Sequence, residues 1–240
     1  MCVSCAVRFG NKKTNFLSME CLMPRRKENN WKDFMVNACK IDVESKIGED
    51  QSRSTSNLRR LKITAVGDGL VGKTCLLITY TTQRFPVEYV PTVFDNFADT
   101  ITVDGQEYNM TLWDTAGQED FERLRPLTYP NTDCFLLCFS VGNKVSYSNV
   151  LCKWYPELKH YCPHVPIILV ATKSDLRDDE NVETLKPSDG KRLKRKIRAT
   201  KYMECSALRS DGLEEIFREA VRAASKKPNT KKKPLCWPFK

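Results

Sequence analysis

The sequence has no long hydrophobic stretch. Its longest uninterrupted apolar runs are Cys134 to Phe139 and Ile167 to Ala171, far below the roughly 18 residues that a membrane-spanning helix requires. The apolar stretch at the N-terminus is too short for a signal peptide and is soon followed by charges. From these absences we expect a protein that is neither membrane-spanning nor secreted.

The sequence also has few features of a disulfide-rich or metal-binding protein. It contains only two histidines, and its eleven cysteines are odd in number and scattered. Cys2 and Cys5 have the spacing of two zinc ligands, but no second pair of this kind and no nearby histidine complete a site. Cys134, Cys138 and Cys205 fall within apolar runs, where a free thiol acts as a small apolar side chain. We therefore expect reduced cysteines in a cytosolic compartment.

Acidic residues are absent from the last fifteen positions, residues 226–240, which carry six lysines. This tail therefore accounts for most of the formal net charge of +9. A nucleic-acid-binding protein usually spreads its basic residues over one face of its folded body, so we expect no nucleic-acid partner. A concentrated basic tail favours an anionic membrane surface.

The C-terminus lacks a prenylation signal, which requires a cysteine fourth from the end. Cys236 is fifth from the end and is followed by WPFK. Its basic neighbours, with Trp237 and Phe239 available for insertion at the interface, predict reversible acylation combined with electrostatic membrane binding. Acylation of Cys2 or Cys5 would supply a second anchor, and a tail that only aids solubility is the alternative.

Composition divides the chain into three regions. Residues 1–57 form a polar N-terminal extension that we expect to be largely disordered. Residues 58–225 alternate short apolar runs with helical patterns, and residues 226–240 form the polybasic tail. Alternating strands and helices of this kind predict a doubly wound α/β sheet, with its ligand site beyond the carboxyl ends of the strands.

Local patterns place the elements of the middle region. Strands are predicted at Leu61 to Val66, Thr100 to Val103, Tyr108 to Trp113, Cys134 to Val141, Val165 to Ala171 and Tyr202 to Glu204. Asp104-Gly105 is a hairpin signal, and Lys73 to Tyr80 reads as a helix. A further helix has an apolar face formed by Tyr147, Val150, Leu151, Trp154 and Leu158. We expect Pro156 to kink that helix near its end, and Asp211 to cap the last helix.

Residues 67–74 read GDGLVGKT, which fits the phosphate-loop pattern G-x-x-x-x-G-K-[ST] between a predicted strand and a predicted helix. Glycines in such a loop let backbone N–H groups turn toward phosphate oxygens, and the helix N-terminus adds positive potential. Lys73 can reach the β- and γ-phosphates, while the Thr74 hydroxyl can ligate Mg²⁺. The predicted nucleotide-binding residues here are Gly67, Asp68, Gly69, Leu70, Val71, Gly72, Lys73, Thr74 and Cys75.

A second polar segment, DTAGQE at residues 114–119, directly follows a predicted strand. The carboxylate of Asp114 can hold Mg²⁺ through a water molecule. Gly117 lets a backbone N–H approach a γ-phosphate, and Gln118 can orient an attacking water. Each feature is weak alone, but the segment supplies what phosphoryl transfer to water needs.

Two later segments point to guanine. Thr172, Lys173 and Asp175 follow a buried strand. A carboxylate at this position accepts two hydrogen bonds, from N1–H and the 2-amino group of guanine, which adenine cannot supply, and the Lys173 stem can lie along the base. After the next strand, backbone N–H groups can meet the guanine carbonyl at Ser206, Ala207 and Leu208.

With these motifs in order, residues 58–225 resemble a small GTPase of the Ras superfamily, specifically of the Rho family and nearest its Rac and Cdc42-like members. The segments that carry this resemblance are GDGxVGKTCLL, FPxEYVPTVFDNF, LWDTAGQEDFERLRPLTYP, KWYPEL, PIILVATKSDLRDD and ECSAL. The resemblance implies the P-loop NTPase fold, with a six-stranded, mostly parallel sheet flanked by helices.

The resemblance also implies roles for individual residues. Thr92 would bind Mg²⁺ and the γ-phosphate, joining Thr74 as a metal ligand. Phe85 would pack on the guanine, and Tyr89 would close over the phosphates. Gln118 would position the hydrolytic water, and catalysis would involve Gln118, Lys73 and Thr92.

The implied function is a GTP/GDP switch that binds Mg²⁺ and hydrolyses GTP slowly until an activating protein assists. Its partners would be nucleotide exchange factors, GTPase-activating proteins and Rho-type effectors that contact the two switch segments, in signalling to the actin cytoskeleton. Its location would be the cytoplasmic face of the plasma membrane or endomembranes, with a cytosolic pool. A GTP-locked or fast-exchanging adaptor, controlled by recruitment, is the alternative.

Three departures from the family pattern stand out. Leu70 replaces a smaller residue of close relatives, and we expect its side chain to point to solvent. The segment after Asp179 is short and leaves little room for the family's insert helix. The helix that follows, Lys191 to Arg198, is unusually basic. It is either a solvated face or a patch for a membrane or acidic partner, and the sequence leaves both readings open.

Overall fold

A computed structural model describes residues 58–87, 94–118 and 121–226. The predictions for the N-terminal extension, for Tyr89 and Thr92, and for Cys236 in the tail concern residues outside these ranges. The three-region division of the chain therefore stays a prediction. The described part contains one six-stranded sheet with helices on both of its faces.

The strands occur in the predicted order, with somewhat different ends. They are β1 (Arg59–Val66), β2 (Phe94–Val103), β3 (Gln106–Thr115), β4 (Cys134–Ser140), β5 (Ile167–Thr172) and β6 (Lys201–Glu204). Their spatial order is β2-β3-β1-β4-β5-β6. Only β2 runs antiparallel to its neighbour, which confirms the predicted doubly wound, mostly parallel sheet.

Five α-helices connect or follow these strands in the described residues. They are α1 (Lys73–Thr82), α2 (Lys144–Asn149), α3 (Tyr155–Tyr161), α4 (Pro187–Lys196) and α5 (Leu213–Ser225). A π-helical turn, Val150–Trp154, joins α2 to α3, and short 3₁₀ helices span Arg125–Thr128 and Ser174–Asp178. The predicted basic helix begins earlier than expected because Pro187 suits its first turn and the carboxylate of Asp189 accepts the Lys186 N–H at 3.0 Å.

Alternation along the central strands divides the core between the two faces of the sheet. On β4, Leu136 packs with α1 and α5, while Leu137 packs with α3 and α4. All seven residues of β4 are buried, as expected for a strand with helices above and below it. Cys134, Cys138 and Cys205 are buried, as their apolar surroundings indicated.

The hairpin between β2 and β3 agrees with its sequence signal. Asp104 and Gly105 are the two loop residues, with φ angles of 51° and 79°, and Val103 pairs with Gln106. Two consecutive left-handed residues give a turn whose twist matches that of the strands.

Two local predictions were wrong. Asp211 does not cap α5, because its backbone forms two hydrogen bonds with Ser206, and the helix begins after Gly212, whose φ is 70°. Pro156 is the second residue of α3, and the irregularity of the helix is the π-helical turn that directly precedes it. That turn shifts the helical phase, so Leu151 is 37% exposed although it was expected on the apolar face.

Candidate functional site

The glycine-rich loop lies between β1 and α1 and is pressed against the sheet. A Cβ atom at Gly67 would lie 2.2 Å from the carbonyl oxygen of Cys138 in β4, so only glycine fits there. Gly72, with φ of 95°, leads directly into α1, whose first turn contains no acidic residue and no side-chain cap. The N–H groups at this end of the helix are therefore directed at the loop, where they favour an anion.

Lys73 places a buried cation inside this loop. Its side chain reaches back so that Nζ donates hydrogen bonds to the carbonyl oxygens of Gly67 at 2.9 Å and Asp68 at 2.7 Å. Burial lowers the pKa of Lys73, and the negative charges of Asp114 and Asp68 oppose this shift. A buried ammonium that lacks full charge compensation is a favourable contact for phosphate oxygens.

Thr74 and Asp114 bring two oxygen donors together at the carboxyl end of β3. The Thr74 hydroxyl donates to Oδ2 of Asp114 at 2.5 Å, and Asp114 is fully buried. Hydroxyl and carboxylate oxygens are the ligands that Mg²⁺ takes in proteins, in sites completed by phosphate oxygens and water. These residues therefore fit a magnesium site.

The segment after Asp114 lies directly against the phosphate loop. A Cβ atom at Gly117 would lie 2.3 Å from the backbone of both Asp68 and Gly69, so a side chain cannot be accommodated. Gln118 is exposed, and its Cγ lies 3.7 Å from the position that a Cβ of Gly69 would take. The glutamine that sequence reasoning assigned to the attacking water therefore lies beside the loop assigned to the phosphates.

The loops after β5 and β6 form the other end of the site. Thr172 donates to the carbonyl of Val71 at 2.5 Å and to that of Phe139 at 3.0 Å, so it ties the phosphate loop to β4. Lys173 has a left-handed φ of 58°, and its Cε lies 3.7 Å from the position of a Cβ on Gly72. Its stem therefore runs along the loop, as expected for a side chain that covers one face of a base.

Asp175 is held by the loop after β6. The Ser206 hydroxyl donates to its Oδ1 at 2.5 Å, and the Ser174 N–H donates to the Cys205 carbonyl at 3.0 Å. Next to Ser206, Ala207 is half-buried, while Leu208 is 60% exposed. These two loops thus fix the carboxylate that we predict to bind guanine.

The structure does not bring every predicted residue into one place. Phe85 follows α1 and is 41% exposed. Leu70 is 69% exposed with φ of 63°, so its side chain points to solvent as expected. Cys75 is half-buried in the first turn of α1, where burial raises the pKa of its thiol.

Asp68 belongs to the predicted nucleotide-binding loop, and its carboxylate faces the helices. Oδ2 accepts a hydrogen bond from Asn149 Nδ2 at 2.8 Å, and Oδ1 accepts one from Trp154 Nε1 at 2.6 Å. Only the backbone carbonyl of Asp68 contacts Lys73. Its side chain positions the loop on α2 and the π-helical turn.

Sequence reasoning missed Asn149 and the polar role of Trp154. Trp154 is fully buried and was read only as part of an apolar face. A buried indole N–H requires a hydrogen-bond acceptor, and that requirement was the available signal.

Arg125 connects Trp154 to the segment that contains Gly117. Its side chain is fully buried, forms two hydrogen bonds of 3.0 Å with Glu157, and lies 4.4 Å over the Trp154 ring. Nη1 donates to the carbonyl of Ala116 at 3.2 Å. Tyr129 also donates to Glu157, at 2.5 Å, and burial together with this carboxylate raises the pKa of Tyr129 far above its ordinary value. Trp154 thus contacts groups that hold both the phosphate loop and the segment of Gly117.

Two kinds of feature are absent from the described ranges. No group of three or more histidine, cysteine, aspartate or glutamate side chains within them is arranged to hold a metal ion. No helix within them has the length and apolar character needed to cross a membrane.

Comparison with known proteins identifies the family. Residues 62–226 match the model of the Ras family, so the chain belongs to that family, as a small GTP-binding protein. It is 54% identical over 182 residues to the Ras-like GTP-binding protein RhoL of Drosophila melanogaster, a match covering 76% of this chain and 96% of the relative. The chain is thus a Rho-type small GTPase of the Ras superfamily. The family binds GTP and GDP, hydrolyses GTP, and works with exchange factors, activating proteins and effectors.

Proposed function

We propose that this GTPase is a membrane-associated switch whose GTP hydrolysis is slow until an activating protein completes the site. The observation that carries the proposal is the packing of Gly117 on the backbone of Asp68 and Gly69, with Gln118 beside the same loop. A γ-phosphate bound in the loop would meet the Gly117 segment directly, so its loss would release that segment.

We assign the phosphate end of the site to five side chains. Lys73 neutralises charge on the β- and γ-phosphates, because its buried ammonium already lies inside the loop. Thr74 and Asp114 would hold Mg²⁺. When bound, Mg²⁺ supplies neutralisation of the charge that develops on the phosphate oxygens. Gln118 orients the attacking water, and Thr92, from the resemblance, completes the metal site.

The guanine end is assigned to Asp175 and the two loops around it. Its Oδ1 is already oriented by Ser206, so the carboxylate is fixed for the paired N–H groups of guanine. A site built to hydrogen-bond such groups rejects an analogue that lacks them. We therefore expect GTP to be strongly preferred over ATP.

We expect slow intrinsic hydrolysis because the arginine next to the site is held by other groups of the protein. Arg125 contacts Glu157 through Nε and Nη2 and Ala116 through Nη1. Its guanidinium is thus held by the protein and cannot be supplied to a γ-phosphate. An arginine from an activating protein, which accelerates related enzymes by about 10³ to 10⁵, is the missing contribution.

The membrane part of the proposal is supported by the sequence of the tail. Six lysines without an acid, next to Cys236, Trp237 and Phe239, favour an anionic lipid surface, with acylation of Cys236 as the second anchor. We place the protein on the cytoplasmic face of the plasma membrane or endomembranes, with a cytosolic pool. Signalling to the actin cytoskeleton is proposed from the family resemblance alone.

The first experiment measures the nucleotide bound to the purified full chain, and then its hydrolysis with and without a Rho-family GTPase-activating protein. We expect bound GDP, slow release in Mg²⁺ and strong acceleration by the activator. Gln118→Leu should lower activated hydrolysis by about 100-fold or more and leave GDP affinity unchanged. Gln106→Leu, the same substitution at the start of β3, is the control and should hydrolyse like the parent.

Two outcomes contradict the proposal. Bound GTP with no response to the activator would identify a GTP-locked adaptor. Rapid release of GDP in Mg²⁺ would identify a fast-exchanging adaptor controlled by recruitment. The left-handed backbone at Leu70 is the feature of the site that favours the fast-exchanging adaptor as a second candidate.

A further inference from the structure

Helix α4 presents an unusually basic outer face. Its cations, with the one that follows the helix, are Lys191, Arg192, Lys194, Arg195, Lys196 and Arg198. All except the half-buried Lys194 are exposed, whereas Leu193 and Ile197 are buried against the sheet. The helix is thus anchored by one apolar line, and its remaining surface is almost entirely cationic.

Most of these cations have no acidic partner. Within the part of the chain that the structure describes, only Arg192 forms an ion pair, with Asp189 at 3.0 Å. Lys144 and Arg209, two exposed cations elsewhere in that part, do form ion pairs, with Glu183 and Asp178. The positive charge of α4 is therefore available to a partner.

The folded protein alone gives no reason for this arrangement. Lys191 with Arg195, and Arg192 with Lys196, are like-charge pairs four residues apart, a spacing that destabilises a helix. The helix dipole favours cations in the last turn, but Lys191 and Arg192 precede that turn. An anion bound along the outer face would relieve the repulsion.

The carboxyl end of α4 lies at the end of the sheet where the parallel strands begin, opposite the nucleotide site. Just after it, the Thr200 N–H donates to the carbonyl of Ile167, at the start of β5, at 2.8 Å. At the same end of the sheet, Arg59 at the start of β1 donates to the carbonyl of Ala224 near the end of α5, at 3.5 Å. The described chain ends at Lys226, two residues later, and the sequence that follows adds five lysines.

We propose that the outer face of α4 is a second contact surface for an anionic phospholipid bilayer, acting together with the basic tail. The inference rests on the proposed membrane association, because the tail would bring this end of the sheet to the bilayer. A bilayer fits better than a compact acidic partner, since a broad anionic plane contacts the helix and the tail at once. This orientation leaves the nucleotide site and the segment of Gly117 facing away from the lipid.

The test measures binding of the full, unacylated chain to vesicles of phosphatidylcholine containing 30% phosphatidylserine, at about 0.1 M salt. Each cation near such a surface contributes about fivefold to the partition coefficient, so Lys191→Gln/Arg195→Gln should lower it by roughly 25-fold. The matched control, Lys144→Gln/Arg218→Gln, removes the same charge from ion-paired positions and should change it by less than about twofold. GDP release, measured in parallel, should be the same for both double variants.

A third variant separates this inference from the proposal on which it rests. Lys231→Gln/Lys232→Gln/Lys233→Gln removes tail charge and should weaken binding independently of α4. Loss of binding in the tail variant, with the α4 variant equal to the control, would overturn the α4 contact and leave the membrane proposal intact. No binding of the parent chain to anionic vesicles would overturn both. Tighter binding of the parent chain to a DNA or RNA duplex than to vesicles, lost in the α4 variant, would assign this face to a nucleic acid instead.

Discussion

The two ends of the central sheet use positive charge in opposite ways. At the carboxyl end of the strands, Lys73 is buried and donates to two backbone carbonyls of the loop that surrounds it. At the amino end, Arg195, Lys196 and Arg198 are exposed and form no ion pair within the described ranges. The first arrangement holds one cation in a fixed position, and the second presents many cations without fixing any of them.

This difference matches the ligands expected at each end. A triphosphate is small and requires charge at defined points, so a desolvated and oriented ammonium is effective there. A lipid surface is broad and fluctuating, so accumulated charge suffices and orientation adds little. The comparison teaches that net charge alone is a poor guide to a binding site, because the more specific end of this molecule carries fewer cations.

The largest effect is expected from replacing the buried lysine. Lys73→Met removes the ammonium that we propose to contact the phosphates, and loss of one partner from a buried charge pair costs about 2 to 5 kcal/mol. We expect GDP affinity to fall by at least about 30-fold, measured by displacement of a fluorescent GDP analogue. The nucleotide-free protein should be as stable as the parent or more so, since burial lowers the pKa of Lys73 and its charged form is therefore disfavoured in the folded state.

Lys196→Met at the opposite end is the matched control for this prediction. It should leave GDP affinity within about twofold and lower binding to anionic vesicles by about fivefold. A large loss of stability in nucleotide-free Lys73→Met would contradict the account, because it would show that the ammonium is already well compensated by Gly67 and Asp68.

Much of the nucleotide end could be predicted from sequence because its constraints are local. The spacing of Gly67, Gly72 and Lys73 and the order of strand, loop and helix define a phosphate loop before any tertiary contact is known. The parallel sheet with helices on both faces was equally accessible, since long buried runs such as β4 occur where both faces of a parallel sheet are covered. The hairpin at Asp104-Gly105 needed only its two residues.

What could not be predicted depends on contacts between distant segments. The carboxylate of Asp68 pairs with Asn149 and Trp154, more than eighty residues away in the chain, and no local pattern indicated these contacts. Asp211 satisfied the local rule for a helix cap, but its backbone is engaged by Ser206. Each outcome depends on a hydrogen bond that the local sequence does not specify.

An intermediate effect is expected from Trp154→Phe, which removes the hydrogen bond to Asp68 while keeping an aromatic ring beside Arg125. A hydrogen bond to a charged group contributes about 1.5 to 3 kcal/mol, so the free energy of unfolding should fall by about 2 kcal/mol. GDP release should accelerate about tenfold, because the Asp68 carbonyl that holds Lys73 shifts with its side chain.

Leu193→Ala separates this positioning role from general destabilisation. Leu193 is buried on α4, away from the loop, and its truncation costs a similar or larger stability, about 2 to 5 kcal/mol. GDP release from this variant should equal that of the parent. Equal acceleration in both variants would mean that release follows global stability and that Trp154 has no specific link to the loop.

The smallest effect, and the one of opposite sign, is expected at Leu70. This side chain is 69% exposed and its φ is 63°, a conformation that costs an ordinary L-residue about 1 to 2 kcal/mol. Leu70→Gly removes that cost, but the greater conformational freedom of glycine in the unfolded chain offsets part of the stabilisation. We therefore expect stabilisation by about 0.5 to 1 kcal/mol, measured by thermal unfolding, with GDP release unchanged.

Val145→Gly, at a similarly exposed but helical position, should destabilise by about the same amount. If Leu70→Gly instead destabilised the protein or altered GDP release, the leucine side chain itself would contribute to the site, and the fast-exchanging adaptor would gain support over the regulated switch.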